Sequence, residues 1–198
     1  MKKNIIYLIL ILFSTFLNAN EKIVLQLKWF HQFQFAGYYA AKEKGFYDEV
    51  GLNVEIRQRD LKYNNIDEVI NGNAQYGVAD SILILYRLKQ QPVVIVSPIF
   101  QHSPSVFISL KKSNISSVYE LNNKDILFYP NDTDGFSLLA MIKKFDLDVN
   151  LVRERYKDDY MRLINNEVDV MPAYIANEPF LFKEKGYDVN IINPTNYG

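Results

Sequence analysis

The 198-residue chain contains no cysteine. That excludes disulfide staples, thiol nucleophiles and Cys-based metal sites, so the fold must be held by its apolar core. Histidine is nearly as scarce. His31 and His102 are the two, and neither lies in a metal-type spacing or beside a Gly-x-Ser-x-Gly elbow. Nucleophilic and metal-assisted catalysis therefore find little footing; the remaining metal option needs His31, His102 and Asp80 to meet. An excess of one charge is also missing, because 22 Lys and Arg stand against 23 Asp and Glu for a net −1. No electrostatic case exists for nucleic acid or an anionic membrane surface. Long apolar runs are confined to Ile5–Phe13. Lys2 and Lys3 precede that run and Leu17-Asn18-Ala19 follows it, so residues 1–20 read as a secretory signal peptide, with an uncleaved anchor as the alternative. The mature chain is then expected in the periplasm.

What remains, about 178 residues, suffices for one large domain or two small lobes. Ile23–Leu27 alternates as a strand, and Ala36–Lys44 reads as a helix stopped by Gly45. Gly45–Leu52 reads as a turn-rich link, Asn53–Gln58 as a strand, and Asn64 or Asn65 as the cap of a helix through Ile70. Tyr76–Ala79 reads as a strand, Ser81–Lys89 as a helix that Asp80 can cap, and Val93–Val96 as a fourth strand. This alternation points to a mostly parallel, doubly wound α/β sheet.

Pro98 and Pro104 flank a stretch that reads as a crossover rather than a hairpin, and a lobe boundary is expected there. The pattern then restarts with strands at 106–110, 126–129, 151–153, 168–171 and 189–192, and helices at 118–121, 136–145, 158–165 and 177–185. The expected division is residues 21–101 for lobe 1 and 102–193 for lobe 2, with 194–198 opening a return crossover and a cleft between the lobes.

Ligands of open α/β sheets bind at the carboxyl ends of the strands. The stretch Trp29–Tyr39 follows the first strand and is rich in aromatic rings and amides. Phe30, Phe33 and Phe35 read as plugs of the sheet edge. Trp29 suits stacking on a flat ligand, with Gln32 and Gln34 bonding its edge. The other expected contributors are Asp80, Ser81 and the crossover residues Gln101 to Ser103, then Asn131–Gly135 with Asp134 and Gly135 foremost, and Tyr174, Asn177 and Glu178. No Lys or Arg stands among these loop tips, so a neutral or amino-bearing heteroaromatic ligand fits better than a phosphate or sulfonate. Asp80 reads equally as a plain helix cap, and Glu178 as a first-turn carboxylate favoured by the helix dipole.

Three stretches, Leu27–Tyr47 with its Ala36-Gly37-Tyr38-Tyr39-Ala40-Ala41 core, Gly77–Ser81 and Asp169–Pro179, resemble the thiamine pyrimidine synthase-like and sulfonate-type solute-binding proteins. The resemblance spans nearly all of residues 22–198. It implies the type II periplasmic-binding-protein fold, two doubly wound α/β lobes joined by a hinge, with a C-terminal return segment that this chain does not reach. It further implies delivery of a thiamine-pyrimidine-like precursor, or a sulfonate, to an ABC transporter permease. The same domain in other proteins is the sensory input of a membrane kinase or cyclase. The enzyme branch makes the thiamine pyrimidine using a pyridoxal phosphate-binding Lys, a sacrificed His and a Cys-rich iron motif. Ala79 stands at the Lys position, Leu83 at the His position and Phe35 at a further His, and no Cys is present. No enzymatic activity and no cofactor are expected.

Overall fold

A computed structural model describes residues 20–130, 134–154 and 159–198. The signal-peptide reading, Asn131 to Thr133 of the loop after Pro130, and Asp158 at an expected helix start lie outside the described residues. Residues 20–31 and 35–78 form one compact unit, and residues 32–34 with 79–198 form another. Residues 79–101, assigned on sequence to the first lobe, group with the second unit.

The first unit is built on β1 (Glu21–Gln26), flanked in parallel by β2 (Leu52–Arg57) and β3 (Tyr76–Gly77) in the order β2-β1-β3. Ile23, Leu25 and Leu27 alternate onto one face, and with Val54 and Phe35 they form its core. Helix α1 (Ala36–Glu43) ends where Gly45 turns at φ +76°, a left-handed conformation natural to glycine. The link after it is more ordered than its turn residues indicate, for α2 (Phe46–Glu49) starts directly at Gly45. Helix α3 (Asn65–Ile70) is capped as expected, with Asn64 Oδ1 accepting from Ile66 N at 2.8 Å. Phe35 is the plug that the sequence indicates, fully buried, whereas Phe33 is 78% exposed.

The second unit holds α4 (Leu83–Leu88), β4 (Ser105–Leu110), β5 (Asp125–Leu127), α5 (Phe136–Lys144), β6 (Asn150–Val152), α6 (Tyr160–Ile164), β7 (Met171–Tyr174), α7 (Glu178–Glu184) and β8 (Val189–Ile192). All six residues of β4 are buried, and it pairs antiparallel with β7 on one side and β8 on the other. β5 and β6 pair in parallel, and Leu127 N to Val170 O (2.9 Å) with Asp169 N to Asp125 O (2.8 Å) join them to the strand that becomes β7. The unit is therefore a mixed sheet rather than a mostly parallel one. The expected strand at 168–171 runs on to Tyr174 through Pro172, which sits opposite Phe107. Within that three-stranded sheet β7 is an edge, where a residue without an N–H costs no ladder bond.

Two expectations fail here for non-local reasons. Val93–Val96 forms no strand, and Val94 and Val96 are 81% and 77% exposed. α4 starts at Leu83 rather than Ser81, with Ile82 at its N-cap and no side-chain cap bond. Asp80 is thus not the cap of this helix.

Candidate functional site

In the first unit, the ladder between β1 and β2 continues beyond both strands. Leu27 N donates to Arg57 O at 2.8 Å and Arg59 N to Trp29 O at 3.1 Å. These bonds hold the backbone of Trp29 against that of Arg59 at the carboxyl ends of parallel strands, where open α/β sheets place ligands. Trp29 packs edge-on against Phe30, centroids 5.1 Å apart. His31 Nδ1 is hydrogen-bonded to the Tyr39 hydroxyl. Burial raises the Tyr39 phenol pKa, and burial together with the neighbouring Tyr47 raises that of Tyr38.

Beside this loop lies a cavity of about 200 Å³ lined by Gln26, Arg57, Arg59, Tyr63, Asn65 and Glu68, with Gln58 and Asp60 completing it. The buried Gln26 organises one wall. Its Oε1 accepts from Arg57 Nε at 2.6 Å, and its Nε2 donates to the carbonyls of Leu27, Arg57 and Gln58. Arg57 Nη2 also reaches Glu68 Oε2 at 3.0 Å and Asn73 O at 3.2 Å. Asn65 Nδ2 donates to Val78 O at 2.7 Å, tying α3 to the end of β3. Arg59 is only 3% exposed, and its Nη1 faces Lys28 O at 3.5 Å. The loop tips singled out on sequence carry no Lys or Arg, but two guanidinium groups line this neighbouring cavity. An alternating strand puts Arg57 and Arg59 on the face that sequence reading assigns to solvent. The signal available was the close spacing of two arginines just past a strand's carboxyl end.

In the second unit, three of the expected residues meet. Tyr174 is buried, and its hydroxyl donates to Asp80 Oδ1 at 3.2 Å across 94 residues of sequence. Tyr174 N donates to Glu178 Oε2 at 2.7 Å, and Glu178 is itself 7% exposed. Burial, then the charge and hydrogen bond of Asp80, raise the Tyr174 phenol pKa well above the ordinary phenol range. Asp80 thus bonds the end of the Tyr174 ring and Glu178 its backbone N–H. The amides of Gln32 and Gln34 bond each other, Nε2 to Oε1 at 2.8 Å. Asp134 is half-buried beside Gly135, which turns at φ +67° to start α5. Ser81 and Gln101 are exposed, while Asn177 is half-buried at the N-cap of α7. Among the described residues, no three His, Asp or Glu side chains gather as a metal site would need.

A parallel sheet in one unit and a mixed α/β sheet in the other define the fold of the periplasmic substrate-binding proteins. The periplasmic aliphatic sulphonate binding protein SsuA from Escherichia coli shares it at a TM-score of 0.64 and 14% identity, over 87% of this chain and 60% of that one. An ancestral arginine-binding protein bound to arginine shares it at 0.62 and 16%, over 88% and 80%. The chain belongs to the NMT1/THI5-like family, whose model matches residues 32–198. The riboflavin-binding protein RibY of Chloroflexus aurantiacus is 26% identical over 184 residues, 87% of this chain and 51% of that protein. The chain thus spans about half the length of this curated relative.

Proposed function

We propose that this chain is the ligand-capturing part of an extracytoplasmic substrate-binding protein, taking a flat nitrogen heterocycle of the thiamine-pyrimidine type to an ABC transporter permease. The observation that carries the reading is Trp29, set at the carboxyl edge of a parallel sheet beside a polar cavity. An indole face stacks on flat rings, and amide-rich walls bond ring nitrogens. The fold supports a binding role, and the name of RibY, a riboflavin binder, supports a heterocycle over an aliphatic solute. The amide pair Gln32–Gln34, Ser81, Gln101, Asp134, Gly135, Asn177 and the cluster of Asp80, Tyr174 and Glu178 are proposed as the ligand-facing groups of the second unit. Export follows from the signal-peptide reading, and no helix among the described residues is long and apolar enough to cross a membrane. Ala79 and Leu83, where the synthase branch has its Lys and His, speak for binding without catalysis. The test is titration calorimetry with an aminopyrimidine on the parent and on Trp29→Ala. Removing the stacking face should weaken affinity at least about tenfold, the equivalent of ~1.4 kcal/mol, with far-UV circular dichroism unchanged. Equal affinities would remove Trp29 from the site.

A further inference from the structure

We propose that Ser105 is a positioning residue for ligand capture: its hydroxyl holds that of Tyr174 and so directs the Tyr174 proton onto Asp80. The cluster then offers a ligand acceptors, and the group it takes is an exocyclic amino group. This rests on the reading of Asp80, Tyr174 and Glu178 as ligand-facing groups and deepens it by one residue and by the polarity of the site.

Ser105 opens β4, is buried, and stands directly opposite Tyr174 in the antiparallel pairing of β4 with β7. Side chains opposite one another in such a pair share a face of the sheet. One step beyond the pair Ile175 N donates to Pro104 O at 3.0 Å, and Ser105 N donates to Ser103 Oγ at 3.3 Å, so the backbone around it is fixed. The Ser105 hydroxyl is hydrogen-bonded to the Tyr174 hydroxyl.

The direction of the protons follows from what each group can do. A carboxylate accepts, so the Tyr174 hydroxyl donates to Asp80 Oδ1, at 3.2 Å. A phenol has one proton, and with that proton on Asp80 the bond between the two hydroxyls has Ser105 donating. The sense of its effect agrees. Burial and Asp80 raise the Tyr174 phenol pKa, whereas Ser105 lowers it, as a donor to the oxygen does. The chain from Ser105 through Tyr174 to Asp80 therefore runs one way, and each bond polarises the next. Glu178 meets the same strand end from α7, accepting from Tyr174 N at 2.7 Å. The protons of Ser105 and Tyr174 are committed inside this chain, while a carboxylate has about four acceptor directions, so Asp80 can take a ligand N–H besides the Tyr174 proton. A ligand amino group suits this cluster, and a ligand carbonyl or carboxylate does not.

The test uses the full mature chain, isotope-labelled at the tyrosine ζ carbon, whose resonance reports the hydrogen bonds of the phenol. Tyr174 is assigned by its absence from Tyr174→Phe. Ser105→Ala should move the Tyr174 resonance, and Ser105→Thr, which keeps the hydroxyl, should bring it back. Calorimetry then sets aminopyrimidine against methylpyrimidine, which has the same shape and no N–H on its substituent. Ser105→Ala should weaken aminopyrimidine about fivefold, as the loss of one hydrogen bond does, and leave methylpyrimidine unchanged. Ser105→Thr should restore the parent affinity. If Ser105→Ala fails to fold, Tyr174→Phe keeps the ring and carries the same comparison, and an undiminished aminopyrimidine affinity there overturns the proposal. An unmoved Tyr174 resonance in Ser105→Ala, or an equal loss of both probes, also overturns it. A parent that binds neither probe counts against the heterocycle reading, and the Tyr174 resonance then decides the role of Ser105 by itself.

Discussion

Gly135 allows a direct test of the packing around the turn that starts α5. At φ +67° it occupies the left-handed region, and a Cβ built there would stand 2.8 Å from Tyr129 Cε2 and 2.9 Å from Phe128 Cζ. Phe128 is fully buried and packs edge-on with Tyr129 at 5.4 Å, so neither ring has an easy way to retreat. Gly186 supplies the control, with φ +82° and nothing within 4 Å of its virtual Cβ. Alanine at either position bears the left-handed cost of ~1–2 kcal/mol. Only Gly135→Ala adds overpacking, ~1–3 kcal/mol. For a chain of this size each kcal/mol moves the melting temperature by roughly 2–4 °C. Gly186→Ala should therefore lower Tm by about 2–8 °C, and Gly135→Ala should go lower still by about 2–12 °C. Calorimetric melting of the two variants beside the parent reads the difference. Equal losses would refute the close approach of the Tyr129 and Phe128 rings, and a stabilised Gly135→Ala would refute the backbone geometry itself.

Tyr174 should shape the alkaline limb of stability. Its phenol pKa is higher folded than unfolded, so its contribution is fully present below pH 10 and is lost as pH rises above that value. Tyr174→Phe should flatten the alkaline loss of unfolding free energy in urea by up to ~1.4 kcal/mol per pH unit while lowering stability at pH 7 by ~1 kcal/mol; an unchanged alkaline slope would refute the buried phenol bonded to Asp80. Tyr38, Tyr39 and Tyr47 shift in the same direction and leave a residual slope. Glu178→Ala should cost ~1–3 kcal/mol in chemical denaturation by stranding the buried Tyr174 N–H, whereas Glu178→Gln keeps an acceptor and should cost less. Val94→Ser and Val96→Ser should each stay within about 0.5 kcal/mol of the parent, as exposed positions do. A loss above ~2 kcal/mol would restore the buried strand that the sequence indicates.

Features governed by near neighbours in the chain are legible in the sequence. The alternation of Ile23, Leu25 and Leu27 places β1, Asn64 caps α3, and Gly45 ends α1, each through contacts within a few residues. Val189–Ile192 forms the strand its pattern indicates. The run Val93–Val96 has equal β-propensity, yet propensity measures fit to a pleated surface, and among the described residues no strand pairs with it. The candidate site divides the same way. Trp29 is marked by its local setting, but the burial of Arg59 depends on chain beyond β2 pairing with chain beyond β1, which no local period encodes. Asp80 looks like a cap because a helix follows it, and its carboxylate accepts from the Tyr174 hydroxyl, 94 residues on.

The central claim, that the chain captures a flat heterocycle through Trp29, is tested most directly by thermal unfolding of residues 20–198 with a ligand panel. The panel holds aminopyrimidines, thiamine, riboflavin, taurine, an alkanesulfonate and pyridoxal phosphate. Ligands that bind the native state alone raise its Tm. The account expects a saturable rise with a pyrimidine or flavin that Trp29→Ala abolishes. A rise confined to the aliphatic sulfonates, or a heterocycle-driven rise that survives Trp29→Ala, would contradict it.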